Sequence, residues 1–205
     1  MSVEVQNCTI RIQGRKIPCY SMNTVVVGSG AASLSCAEHL HRLGQRSIAV
    51  VTEDLKGGTS YNAGSDKQTY YKLSLYGGQG DSPNEMARSL FDGGSMHGDI
   101  ALIESVLSPL CFFRLVSMGV PFPFNKFGGF VGYKTDHDPR SRATSAGPWT
   151  SRMMCECLLE EVMRRGIAIF DGFEVVGIVA GKGRACGVVA LDKSKLRSLH
   201  HGLTL

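Results

Sequence analysis

No Cys-x-x-Cys occurs among the seven cysteines, and the count is odd. The usual spacing of zinc and redox motifs is therefore missing. Cys155 and Cys157 fall in a helical pattern, where residues two apart point to different faces. The cysteines read as buried, reduced thiols of a cytoplasmic protein. No apolar run approaches about 18 residues, so no transmembrane helix and no membrane insertion are expected. The first twenty residues alternate polar and apolar, unlike a signal peptide. The net charge is only +4 and is scattered, with no basic run interleaved with aromatics, so no nucleic-acid partner is expected. There is one tryptophan, Trp149, which reads as a core or staple residue before a helix. Asp136, His137 and Asp138 are adjacent, and adjacent residues rarely converge on one ion, so no metal site is expected.

Glycine, by contrast, is abundant: 25 residues, mostly paired or near turns. Cys8–Ile12 and Ile17–Tyr20 read as a hairpin or extended arm turning at Gln13-Gly14, so residues 1–21 form an N-terminal element. Thr24–Val27 is a β-branched run expected to be buried on both faces. Gly28-Ser29-Gly30 is a turn. Ala31–Leu43 is a helix with Leu34, Ala37, Leu40 and Leu43 on one stripe, closed by Gly44. Ile48–Val51 is a second buried strand. Together they make a unit of about 30 residues, the size of a βαβ crossover.

A long polar stretch, Thr52–Asp81, follows, and a loop of that length is usually functional. Helices are expected over Asn84–Asp92, and from Asp99 as N-cap to Met118 with a break at Pro109. Val120–Pro148 is irregular. A helix capped by Thr150 or Ser151 runs to Arg165. Strands are expected at Ile167–Phe170, Phe173–Ala180 and Ala185–Leu191, with a tail over 193–205. His97, His39 and His41 read as structural.

The chemistry lies at the first turn. A dinucleotide carries a pyrophosphate, and a helix N-terminus offers it free N–H groups and a partial positive charge. Glycine lets the backbone approach without a Cβ in the way. Gly28 and Gly30 fill the first two positions of Gly-x-Gly-x-x-Gly, and Ser33 stands in the third. Thr52 or Glu53, at the end of the second strand, would reach the adenosine ribose.

A nicotinamide-binding domain would continue as alternating strands and helices. This chain instead enters the loop Lys56-Gly57-Gly58-Thr59-Ser60-Tyr61-Asn62-Ala63-Gly64-Ser65. Here it resembles the flavoprotein subunits of the fumarate reductase and succinate dehydrogenase group, which includes L-aspartate oxidase. The shared elements are Val25–Ala32, the Gly58-Thr59-Ser60 loop, Met118-Gly119-Val120-Pro121-Phe122, and Phe173–Leu191, similar to that group's β-meander. The resemblance implies an α/β fold over residues 22–192: a Rossmann-like FAD-binding domain with a parallel sheet plus the meander. It implies that Gly28, Ser29, Gly30, Ala31 and Ala32 surround the pyrophosphate, and that Thr52 and Glu53 lie near the ribose. Gly58, Thr59, Ser60, Gly64 and Ser65 would line the ribityl and isoalloxazine part. Backbone groups of Val175 or Val176 would meet the adenine.

Members that attach FAD covalently do so through a histidine in the loop after the second strand. None lies between Gly57 and Asp81, so non-covalent FAD is expected. The implied activity is hydride transfer between flavin and a small carboxylate substrate, with the electron donor unassigned. His137, Arg140, Arg142, Thr144 and Ser145 form a polar loop that could touch such a substrate or simply be solvated. No Ala-Thr-Gly follows the meander, and the group's capping domain has no counterpart before Leu205. The chain therefore reads as an N-terminal fragment, incomplete at the C-terminus. A non-catalytic piece that binds FAD or another adenine dinucleotide stays open beside the enzyme.

Overall fold

The computed structural model describes residues 6–65, 68–75, 80–136 and 138–195. They fall into two compact units, one from segments 1–62 and 158–205, the other from 63–157.

The first unit opens with β1 (Gln6–Ile12) and β2 (Arg15–Ser21), an antiparallel hairpin turning at Gln13 and Gly14, both at positive φ. Tyr20 packs its ring 4.9 Å from Phe170. Next come β3 (Thr24–Val27), α1 (Ala31–Arg42) and β4 (Ile48–Thr52). The sheet runs β3-β4-β7, all parallel, with β7 at Ala168–Asp171. β4 is central and every residue in it is buried. β3, expected to be buried on both faces, lies at the edge of the described sheet, and Val27 is 50% exposed. α1 turns Leu34 and Ala37 inward, but Leu43 has left the stripe: it caps the helix and is exposed. A charge shares the buried face instead. Glu38 is 3% exposed and paired with Arg165 at 2.9 Å.

α2 (Thr59–Asn62) ends the first segment of the first unit, and the second unit holds β5 (Tyr70–Tyr71), α3 (Pro83–Asp92), α4 (Gly98–Ser117) and β6 (Ala143–Thr144), which pairs with β5. Ser82 caps α3 by accepting from the Glu85 amide at 3.2 Å. α4 corrects two expectations. Its N-cap is His97, which accepts from the Asp99 amide, and the helix runs unbroken through Pro109. Proline removes the amide that would bond the Ser105 carbonyl. The Ser108 hydroxyl donates to that carbonyl at 2.9 Å, so the gap is filled locally. α4 is also long and apolar enough, by length and composition, to cross a membrane, although no single run suggested it. Its buried residues include Ala101, Phe112 and Leu115.

α5 (Thr150–Arg164) precedes β7, and β8 (Phe173–Gly181) with β9 (Arg184–Asp192) closes the described chain as an antiparallel pair. The expected burial of the cysteines fails. Only Cys155 is buried, Cys19 and Cys157 are half-buried, and Cys8, Cys36, Cys111 and Cys186 are exposed. Most sit on hairpins and outward helix faces rather than on core stripes.

Candidate functional site

The β3–α1 turn gathers most of the anticipated residues. Gly28 adopts φ +98°, a conformation L side chains rarely reach, and its amide donates to the Val51 carbonyl at 2.8 Å. A Cβ there would lie 3.3 Å from Ser33 Oγ. Ser33, the departure from the glycine pattern, is accommodated: its hydroxyl donates to the Val27 carbonyl at 3.2 Å. Gly30 is the N-cap of α1 in extended geometry, with no side-chain cap and no acidic residue in the first turn. The first amides of α1, from Ala31 and Ala32 onward, thus have neither a capping acceptor nor a competing carboxylate. A Cβ on Gly30 would meet Ser60 Oγ at 3.3 Å, so the glycine turn and the Gly58-Thr59-Ser60 loop come together.

Ser29 and Thr52 are both 6% exposed. Their hydroxyls lie 3.0 Å apart and face the Asp54 carbonyl at 3.2 and 3.3 Å. Thr52 is therefore committed inward, whereas Glu53 is exposed and ion-paired with Lys193. In β8, Val175 pairs with Ala190 and Gly177 with Val189. Val176 is the bulged residue between them, left out of the ladder.

Gly64 and Ser65 belong to the second unit. The Ser65 amide donates to the Pro148 carbonyl at 3.1 Å. A Cβ on Gly64 would sit 2.4 Å from the Trp149 ring, which is 46% exposed and carries the Arg152 guanidinium 4.4 Å from its centroid. Trp149 is thus a half-exposed plate against Gly64, not a core residue. Gly64→Ala should cost about 1–3 kcal/mol by overpacking. Trp149→Ala in the same chain should recover most of it, as thermal melts of the single and double variants would report.

Among the described residues, the side chains of the polar loop have partners within the protein. Arg142 is fully buried, and its guanidinium reaches Asp81, Asp138, Ser89 Oγ and the Tyr71 hydroxyl. Arg140 pairs with Glu85 at 3.0 Å. Buried Thr144 donates to the Val131 carbonyl, and Ser145 bonds within the Gly147–Thr150 turn. His137 lies outside the described residues. Sequence reasoning also missed Lys72, which is fully buried with its ammonium 4.7 Å from the Phe112 ring centroid and pKa lowered by that burial. Nothing in the run Tyr70-Tyr71-Lys72 marked it.

A family model described as an FAD binding domain matches residues 23–202. The chain belongs to this family. Its cofactor is accordingly FAD. Among curated proteins, none matches the sequence. Solved structures share the fold. Mycobacterium smegmatis Sdh1 in complex with UQ1 superposes with a TM-score of 0.75 at 18% identity, over 82% of this chain and 30% of that one. The E. coli quinol fumarate reductase FrdA gives 0.72 at 19%, over 83% and 29%. The 3-ketosteroid-delta4-(5alpha)-dehydrogenase of Rhodococcus jostii RHA1 gives 0.67 at 19%, over 83% and 42%. The chain thus spans about a third of the length of the structures it resembles.

Proposed function

We propose that this chain is the FAD-holding part of an oxidoreductase of the fumarate reductase and succinate dehydrogenase type, acting between flavin and a small carboxylate. The observation that carries this reading is the uncapped N-terminus of α1 behind a glycine at φ +98°. Gly28, Ser29, Gly30, Ala31 and Ala32 would hold the pyrophosphate with backbone amides and the positive end of the helix. Glu53 would accept from the ribose hydroxyls, Lys193 steadying its carboxylate, while Thr52 fixes Ser29 from within. Val176, outside the β8–β9 ladder, would offer backbone groups to the adenine edge, with Val175 beside it. Gly58, Thr59 and Ser60 would line the ribityl and ring end. The bound flavin would supply hydride donation or acceptance, and this chain's residues would position it. The domain proposed for this role is 22–192. A cytoplasmic location belongs to the same proposal and rests on the free cysteines.

The second reading, an FAD-binding piece without turnover, is favoured by one observation: Arg140, Arg142, Thr144 and Ser145 are all engaged within the protein. One preparation separates the two. The purified protein should show the two visible bands of oxidised flavin, and after reduction with dithionite it should be reoxidised by fumarate. Flavin without reoxidation would leave only the second reading. Non-covalent attachment predicts that acid precipitation leaves all the yellow colour in the supernatant; a coloured pellet would refute it.

A further inference from the structure

The β1–β2 hairpin sets Cys8 directly opposite Cys19. Cys8 is exposed and Cys19 half-buried. Ile12 and Arg15 flank the two-residue turn at Gln13 and Gly14, so they form a hydrogen-bonded pair. Pair types alternate outward from there. Thr9–Pro18 falls on a non-hydrogen-bonded pair, where a proline without an amide hydrogen costs the ladder nothing. Cys8–Cys19 is the next pair and is hydrogen-bonded, which implies a Cα separation of about 5.5 Å. A disulfide spans that distance without moving the backbone.

We infer that Cys8 and Cys19 are a reversible disulfide site whose oxidant is a low-molecular-weight disulfide of the glutathione class. The Cys19 thiolate attacks one sulfur of the oxidant, whose S–S bond breaks and releases one thiol. The Cys8 thiolate then attacks the Cys19 sulfur of the mixed disulfide and releases the second thiol. The two cysteines together lose two electrons and two protons, and the two released thiols carry them away. Cys8 takes the second step because its thiol pKa is raised, first by the neighbouring Cys19 thiol and then by desolvation.

The surroundings suit an anionic oxidant. Arg15 stands on the cysteine face, Arg11 and Lys16 pair on the other face, and the hairpin from Gln6 to Ser21 carries no carboxylate. The face that holds the two cysteines also carries Ile10, Ile12 and Ile17, all substantially exposed, so access is open. Exposed disulfides are the readily reduced, regulatory kind.

The test is to equilibrate the native protein in glutathione buffers of rising oxidised fraction, then quench, denature, alkylate and map the peptides. Cys8 and Cys19 should lose their labels together and appear linked, Cys155 should keep its label, and added reductant should restore both labels. In Cys8→Ser, the reaction should stop at a stable glutathione adduct on Cys19. Full labelling of Cys8 and Cys19 in the most oxidising buffer would overturn the assignment. So would stable glutathione on both in the unsubstituted protein, or linkage of either to another cysteine.

Discussion

Arg142→Met is expected to destabilise the 63–157 unit by about 3–5 kcal/mol, the usual cost of removing one partner from a buried ion pair. The Arg142 side chain is fully inside, bidentate to Asp81 at 2.7 and 2.9 Å, with Asp138 at 3.1 Å. Without the guanidinium, two buried carboxylates would face each other unneutralised. The pH dependence gives a second readout. Burial pushes the Asp81 carboxyl up, but the Arg142 hydrogen bond and the Ser74 and Ser82 amides outweigh it, leaving a net pKa below the ordinary 3.8. A folded-state pKa below the unfolded one stabilises above that unfolded value, and the contribution is lost as pH falls through the folded value. In Arg142→Met, burial loses its main opponent, so the folded pKa rises above the unfolded one and the sign reverses. The variant should regain part of its stability on acidification from neutrality, whereas the parent should not. Urea midpoints at several pH values would show this, and equal midpoints at neutral pH would refute the clamp.

Gly28→Ala is expected to weaken FAD binding about tenfold. Forcing an L side chain to positive φ costs roughly 1–2 kcal/mol, and about 1.4 kcal/mol is one decade in affinity. The turn must hold this conformation to present the α1 amides, so the strain is charged against binding. Ser33→Gly beside it would free the 3.3 Å contact but not the backbone, so affinity should stay low. Gly44→Ala is the control: it sits at φ +99° with open space around it, at the far end of α1. That change should lower stability and leave affinity alone. Flavin fluorescence titrations measure all three, and tight binding by Gly28→Ala would remove this turn from the cofactor site.

What could be read from the residues alone was local. The β3–α1–β4 unit announces itself through β-branched runs, a glycine turn and an apolar stripe closed by Gly44. The failures involve partners that pattern does not reveal. Pro109 looks like a helix break until the Ser108 hydroxyl is seen to replace the missing amide. Arg142 looks like a substrate ligand because Asp81, its main partner, lies 61 residues away. Cysteine composition suggests burial, but Cys8 and Cys186 sit on hairpin strands where they are exposed. In the cofactor turn, Ser33 is a small departure from the glycine pattern, and a hydrogen bond to the Val27 carbonyl accommodates it.

Trp149 is the chain's single tryptophan, and it stands in the 63–157 unit. Indole emission therefore comes from one place, and the first unit is dark at those wavelengths except through its tyrosines. Far-ultraviolet dichroism, by contrast, sums the helices and strands of both. Followed side by side through a melt, the two signals ask whether the halves unfold as one cooperative body, in which case the curves coincide, or separately, in which case the indole reports its own half alone.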